Sequence, residues 1–199
     1  MNWKDDSEQL KSDFVRDGFV VLRGFYSSAE VEALNGYIDR YISEAIPQLP
    51  SSAAFYEVEG QSETIMRLQN LEEHDSYFAQ LNSSERFAGL AECLLGDGIV
   101  RKNMQWFTKP ARSAAETPPH QDGFYFNLEP AEAITLWLAL DTINAENGCI
   151  RYVRGSHRRG MRSHQASGVF GFSQGMSDYG EADAQLEVPI HGEPGDLIA

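Results

Sequence analysis

The stretch that most constrains this chain runs from Pro118 to Asp141. It reads Pro-Pro-His-Gln-Asp-Gly-Phe-Tyr-Phe-Asn-Leu and then, a few residues on, Ala-Ile-Thr-Leu-Trp-Leu-Ala-Leu-Asp. His120 and Asp122 are two apart, so on an extended segment both side chains point to one face. An imidazole and a carboxylate on one face supply two of the three ligands of the 2-His-1-carboxylate centre, which holds non-haem Fe(II) with coordination positions left open. Alone, such a pair is weak, because surface loops carry it by chance. Its surroundings are more orderly than a chance loop. Pro118 and Pro119 hold the approach extended, Phe124, Tyr125 and Phe126 follow, and a run of nearly unbroken apolar character around Trp137 comes next.

His120-Gln121-Asp122, Trp137, Asn147-Gly148-Cys149 and Gly155-Ser156-His157 occur in that order. As a set they resemble the phytanoyl-CoA dioxygenase family of Fe(II)/2-oxoglutarate oxygenases, and the likeness extends more weakly from about Asp13 onward. The resemblance implies a mainly β fold with helices flanking it at the N-terminal side: a double-stranded β-helix (cupin-like jelly roll), with residues 1–199 as one domain. It also implies Fe(II) with 2-oxoglutarate as co-substrate, O2 as oxidant, and hydroxylation of a small molecule. His120 and Asp122 would be the iron ligands. Arg67, Gln105 and Trp137 would line the co-substrate site, with Gln121 and Tyr125 near the substrate. By themselves, Arg67 reads as a solvated surface residue and Trp137 as core.

Periodicity places the remaining elements. Leu10 and Phe14 share one face of a helix over 7–16, which Gly18 stops. A short strand over 19–22 and a turn at Gly24 lead to a second helix, opened by the capping box Ser27-x-x-Glu30 and striped by Val31, Leu34, Ile38 and Tyr41 before Pro47. Residues 47–66 suggest a loop or weak hairpin. Asn82-x-x-Glu85 suggests the cap of a helix carrying Phe87, Leu90 and Leu94, and 99–107 alternates as a half-buried strand does. A loop over 109–117, a strand over 149–153, a long loop or lid over 165–183, a strand over 184–190, and a turn entering a further strand over 192–199 complete the expectation.

Bulk properties exclude more than they assign. With 199 residues and 42% hydrophobic content, a chain near this size buries roughly 70% of its unfolded surface. The net charge of −14 argues against a general binder of nucleic acid or anionic membranes. No run approaches the ~18 apolar residues of a membrane helix, and the Met1-Asn-Trp-Lys-Asp start has no apolar signal region. Cys93 and Cys149 in apolar surroundings suit buried free thiols in a reducing compartment. Together these predict a cytoplasmic protein. Against the acidic background, Arg151, Arg154, Arg158, Arg159 and Arg162 cluster with no acid between them. They could recognise an anionic substrate, though pairing with the chain's surplus carboxylates is the stronger expectation.

The chain departs from the family at two places. Arg154 stands where family members carry Pro before Gly-Ser-His. The distal histidine and the co-substrate arginine expected beyond Gly195-Asp196 are absent, so the expectation is a C-terminal truncation with the final strands missing and a homodimer through the exposed strand edges. His157 and His191 are weak substitutes for the missing ligand. His157 reads instead as a structural hydrogen-bonding residue, and neither His74 nor His164 carries a strong claim. Two alternatives to the oxygenase remain at this point: a catalytically silent small-ligand-binding module of the same fold, and a Zn or Mn cupin-type metalloenzyme.

Overall fold

Short, strongly punctuated elements follow from the spacing of glycine and capping residues along the chain. The computed structural model describes residues 3–58, 60–96, 98–109, 116–169 and 172–199. Helix α1 (Ser7–Asp17) ends on Gly18 in the left-handed conformation, and β1 (Val21–Leu22) follows. Helix α2 (Ser28–Arg40) opens with both halves of the Ser27/Glu30 capping box formed. Its stripe of Val31, Leu34 and Ile38 is buried. The helix passes through one π turn, Tyr41–Ala45, before Pro47.

Next come β2 (Ala54–Tyr56), β3 (Ile65–Gln69), α3 (Leu71–His74), α4 (Ser76–Asn82), α5 (Glu85–Leu95) and β4 (Gln105–Phe107). They are followed by α6 (Asp122–Phe126), β5 (Trp137–Leu138), β6 (Arg151–Val153), β7 (His164–Val169) and β8 (Phe172–Met176). The chain finishes with α7 (Glu181–Ala184), β9 (Glu187–Pro189) and β10 (Leu197–Ile198).

All strand pairing among the described residues is antiparallel. β10 lies between β1 and β5, with Val21 opposite Ile198 and Ile198 opposite Trp137. The other sheets are β2-β3-β4, β6-β9 and the hairpin β7-β8. Three apolar clusters glue these pieces together. Tyr41, Leu68, Leu71 and Phe78 centre the first, under α2. Leu90, Leu94 and Leu197 hold α5 against β10, with Leu10 and Phe14 of α1 packed alongside. Phe19, Ile190 and Ile198 form the third, against Trp137 and Tyr152. Leu197 and Ile198 have no exposed surface, and each such side chain stabilises by about 1.5–3 kcal/mol relative to exposure.

The turn into β10 is set by Gly195 and Asp196. Gly195 has φ +94, and any Cβ there would strike the Tyr26 carbonyl oxygen. Asp196 is buried and accepts from the Gly24 amide at 2.8 Å, the Glu193 amide at 2.9 Å and Arg23 Nη1 at 2.6 Å.

Several expectations change. Helices hold more of the described residues than strands do, so the architecture is mixed helix and antiparallel sheet rather than mainly β. The strand over 99–107 shrinks to Gln105–Phe107, because among the described residues no strand ladder continues along the earlier part, where Val100 is 83% exposed. Extended Ser84 occupies the N-cap position of α5 without a side-chain cap bond, while Asn82 ends α4. The strand over 149–153 is confined to Arg151–Val153. The 165–183 loop is largely the β7-β8 hairpin, and 184–190 splits between the end of α7 and β9. Residues 110–115 of the expected 109–117 loop, and residues 170 and 171 of the expected 165–183 loop, lie outside the described residues. Cys93 and Cys149 are free thiols, half-buried. No helix among the described residues is long and apolar enough to cross a membrane.

Candidate metal centre

Gln121, between His120 and Asp122, is extended at φ −117 and ψ 121, and the chain turns into α6 at Asp122. Asp122 therefore sits on the first residue of a helical turn rather than on a strand, yet it still meets His120. Nε2 of His120 and Oδ1 of Asp122 lie 3.2 Å apart. Each side chain's other polar atom is engaged elsewhere. Nδ1 of His120 is 2.8 Å from the Pro118 carbonyl oxygen, and Thr135 Oγ1 donates to Asp122 Oδ2 at 2.7 Å. A carbonyl can only accept, so Nδ1 carries a proton and Nε2 is the nitrogen aimed at Asp122. Tyr125 stands edge-on to the His120 ring at 5.9 Å and Phe172 lies tilted against it at 5.5 Å.

The electrostatics are those of a mutually stabilised pair. Burial pushes His120 down, but the Asp122 carboxylate and the Pro118 carbonyl outweigh it and hold the imidazole above its ordinary range. The His120 imidazole holds Asp122 below the usual carboxylate range against burial, and the Thr135 hydroxyl helps. Two donor atoms about 3 Å apart can occupy neighbouring positions on one ion with bonds of about 2.1 Å. The donor set, one imidazole nitrogen and one carboxylate oxygen, suits a divalent first-row metal. Among the described residues no group of three His, Cys, Asp or Glu side chains is gathered that could hold a metal.

The other sequence candidates are dispersed around this pair. Tyr125 donates its hydroxyl hydrogen to the Gln174 carbonyl at 2.6 Å. Gln121 reaches away toward residues 160–162, its Nε2 donating to the Gly160 carbonyl at 3.0 Å and its Oε1 accepting from the Arg162 amide at 2.7 Å. Trp137 shares a face with Thr135, because Ile134, Leu136 and Leu138 all turn the other way, into the α5–β10 cluster.

Arg67 sits mid-strand on β3, its guanidinium 4.2 Å from the Phe55 ring and 5.7 Å from the Phe107 ring. Burial holds it below the ordinary arginine range, with Tyr125 close enough to push back. With the Gln69 amide turned to suit both groups, its oxygen accepts from Arg67 Nη2 at 2.9 Å. Gln105 is exposed on β4, in register with Gln69.

Three residues near the pair carried no claim in the sequence. Thr135 is the lone hydroxyl in the apolar run 133–140, and that isolation is the signal for it. His164 takes its place through the β7-β8 hairpin, accepting from the Gln121 amide at 3.0 Å. Tyr152 stacks on Phe19 at 5.1 Å, and its phenol is pushed up by burial and by the Asp122 charge.

His157 and His191 do not join the pair. Nε2 of His157 is 3.1 Å from the Val15 carbonyl, and its ring fills the space left by Gly18. The Arg cluster is spent on the chain itself. Arg151 meets Glu187, Arg154 meets Asp17, Arg159 and Arg162 meet Asp183, and Arg158 donates to the carbonyls of Val15 and Arg16.

The profile of the family described as Phytanoyl-CoA dioxygenase (PhyH) matches residues 14–199. Among curated relatives, the bovine (Bos taurus) "Phytanoyl-CoA dioxygenase, peroxisomal" is 24% identical, the match covering 96% of this chain and 60% of the relative. The mouse (Mus musculus) "Phytanoyl-CoA dioxygenase domain-containing protein 1" is 25% identical, covering 96% and 79%. This chain thus spans about three-fifths of the length of the bovine and human phytanoyl-CoA dioxygenases it matches. Among solved structures, the epimerase SnoN in complex with Fe3+, alpha ketoglutarate and nogalamycin RO superposes with a TM-score of 0.74 at 21% identity, covering 98% of this chain and 73% of SnoN. EctD from S. alaskensis with 2-oxoglutarate and 5-hydroxyectoine gives 0.72 at 22% identity, covering 96% and 65%. At such identities the structural likeness establishes a shared fold. The matched residues include the His-Gln-Asp segment, the strand around Trp137 and the Gly-Ser-His turn, and the chain belongs to the phytanoyl-CoA dioxygenase (PhyH) family.

Proposed function

We propose that this chain provides the metal-holding portion of an Fe(II)- and 2-oxoglutarate-dependent oxygenase that hydroxylates a small molecule, with His120 and Asp122 as iron ligands. The convergence of His120 Nε2 and Asp122 Oδ1 carries the reading, because these two atoms face each other at a spacing that one ion could bridge while their neighbours are tied back. Family membership, the iron and alpha ketoglutarate in the SnoN complex, and the bound Fe and the 2-oxoglutarate in separate EctD structures support it. The antiparallel pairs around β10 and the β7-β8 hairpin are consistent with part of a double-stranded β-helix. We take residues 1–199 as one unit of that fold.

When bound, the iron and 2-oxoglutarate supply the oxidising chemistry. The chain's own residues bind, aim and shield. His120 is held by the Pro118 carbonyl and walled by Tyr125 and Phe172. Thr135 ties one Asp122 oxygen, which favours binding through the other. Arg67 is a half-buried cation between two aromatic rings, a setting in which an organic carboxylate is preferred over water. We assign Arg67, with Gln105 and Trp137, to the co-substrate side.

An anaerobic titration with Fe(II) and 2-oxoglutarate tests the assignment. A visible charge-transfer absorption is expected that disappears in His120→Ala. A silent ligand-binding relative would bind 2-oxoglutarate without that absorption. A Zn or Mn enzyme would show bound Zn or Mn by elemental analysis and no response to Fe(II).

A further inference from the structure

Two side chains, Gln121 and His164, lock the peptide that links the proposed metal ligands, and neither can turn toward a substrate without breaking the lock. His164 Nδ1 lies 2.9 Å from the Arg162 carbonyl oxygen, which can only accept, so that nitrogen bears the hydrogen. Its Nε2 then holds a lone pair, and the Gln121 backbone amide donates to it at 3.0 Å. The tautomer is set by the two partners together. The Gln121 side chain is fixed with equal definiteness, its NH2 donating to Gly160 and its oxygen accepting from the Arg162 amide. The Phe124 ring stacks on the His164 imidazole at 4.1 Å and 18°, closing one side of the lock. The hairpin adds a backbone bond from the Met176 amide to the Pro119 carbonyl, at 2.8 Å.

Gln121 is the one residue between His120 and Asp122. Fixing its amide sets the plane of the peptide leaving His120, and fixing its side chain sets the direction in which Asp122 departs. We infer that His164 is a positioning residue for the metal pair, acting through the Gln121 amide, and that Gln121 serves the same purpose rather than touching substrate. The inference rests on the reading of His120 and Asp122 as metal ligands.

Co(II) titration of the anaerobic full chain, followed by its visible absorption, tests the positioning role. His164→Phe keeps a ring against Phe124 and removes both hydrogen bonds. His164→Gln restores an acceptor at the far position, whereas His164→Asn places its oxygen too near the backbone to reach Gln121. The Phe and Asn variants are expected to weaken Co(II) binding by roughly 10–100-fold, the usual range for groups that orient metal ligands. The Gln variant is expected to stay within a few-fold of the parent.

Without metal, hydrogen exchange at the Gln121 amide should be fast in the Phe and Asn variants and slow in the parent and the Gln variant. A merely structural role would not move that amide selectively. Co(II) affinity within twofold of the parent in His164→Phe overturns the inference, as does a loss that Gln fails to restore. If His164→Phe does not fold, the comparison of Gln with Asn decides, and equal affinities overturn it. A parent whose Co(II) binding survives His120→Ala sinks the metal reading itself and this inference with it. Binding that depends on His120 but ignores His164 sinks only this one.

Discussion

At the scale of single residues, the proposed metal pair is organised by what occupies the atoms not facing the ion. Thr135 is the sharpest case. Its hydroxyl, 2.7 Å from Asp122 Oδ2, is a single methyl-for-hydroxyl exchange away from valine. Thr135→Val is expected to weaken Fe(II) or Co(II) binding about tenfold. It should change the stability of the metal-free protein by less than about 1 kcal/mol, because Asp122 is half exposed and can take a water instead. Equal metal affinity in the two proteins would remove Thr135 from the site. That His120 and Asp122 converge was legible, because their two-residue spacing survives a change of local structure: the pair meets although Asp122 starts a helical turn. Gln121 and Tyr125 were legible only as neighbours of that pair. Which way a polar side chain turns depends on partners about forty and fifty residues away, Arg162 and Gln174, and no local pattern encodes that.

Among the elements, those with end signals written in their own residues were readable. Helix α2 has its Ser27/Glu30 box, and α1 ends on Gly18, where φ is +85 and the His157 ring leaves no space for a Cβ. The β7-β8 hairpin was not readable, since a Gly-, Ser- and Phe-rich run has no alternation and the hairpin is held by partners outside itself. One of those partners is the ionic node at α7. Asp183 is buried, accepts from the Gly180 amide at 3.1 Å, and receives Arg159 and Arg162, the latter anchoring Gln121 through its amide. Arg162 holds Asp183 below the usual carboxylate range against burial, with Gly180 and Arg159 assisting. A carboxylate depressed in the folded state contributes stability that is present above its unfolded value, about 3.9, and is lost as pH falls through the folded value. Asp183→Asn is therefore expected to cost roughly 1–3 kcal/mol near neutrality. Its melting temperature should approach the parent's progressively as pH falls below the free aspartate value of about 3.9. A gap that persists unchanged in acid would mean the carboxylate's charge is not what stabilises the node.

Across the whole molecule, the basic cluster and the net charge of −14 belong together: the arginines of 151–162 pin separate elements to one another through the chain's own carboxylates and carbonyls. The sheet at the centre joins segments far apart in sequence. Val20 and Ala199 exchange backbone hydrogen bonds of 3.0 Å in both directions, and β10 fits between β1 and β5. This arrangement has a consequence for how the protein is made. A ribosome releases β1 well before β10, so β1 must wait, with its ladder groups hydrated, while all the residues between the two emerge. Contacts so distant in sequence close large loops and form late. Pulse-labelled hydrogen exchange during refolding is expected to show the amides of α2 protected first and those of Val20 and Ala199 last. Val20 protected together with α2 would mean that the N-terminal strand finds an early, non-native partner during its wait.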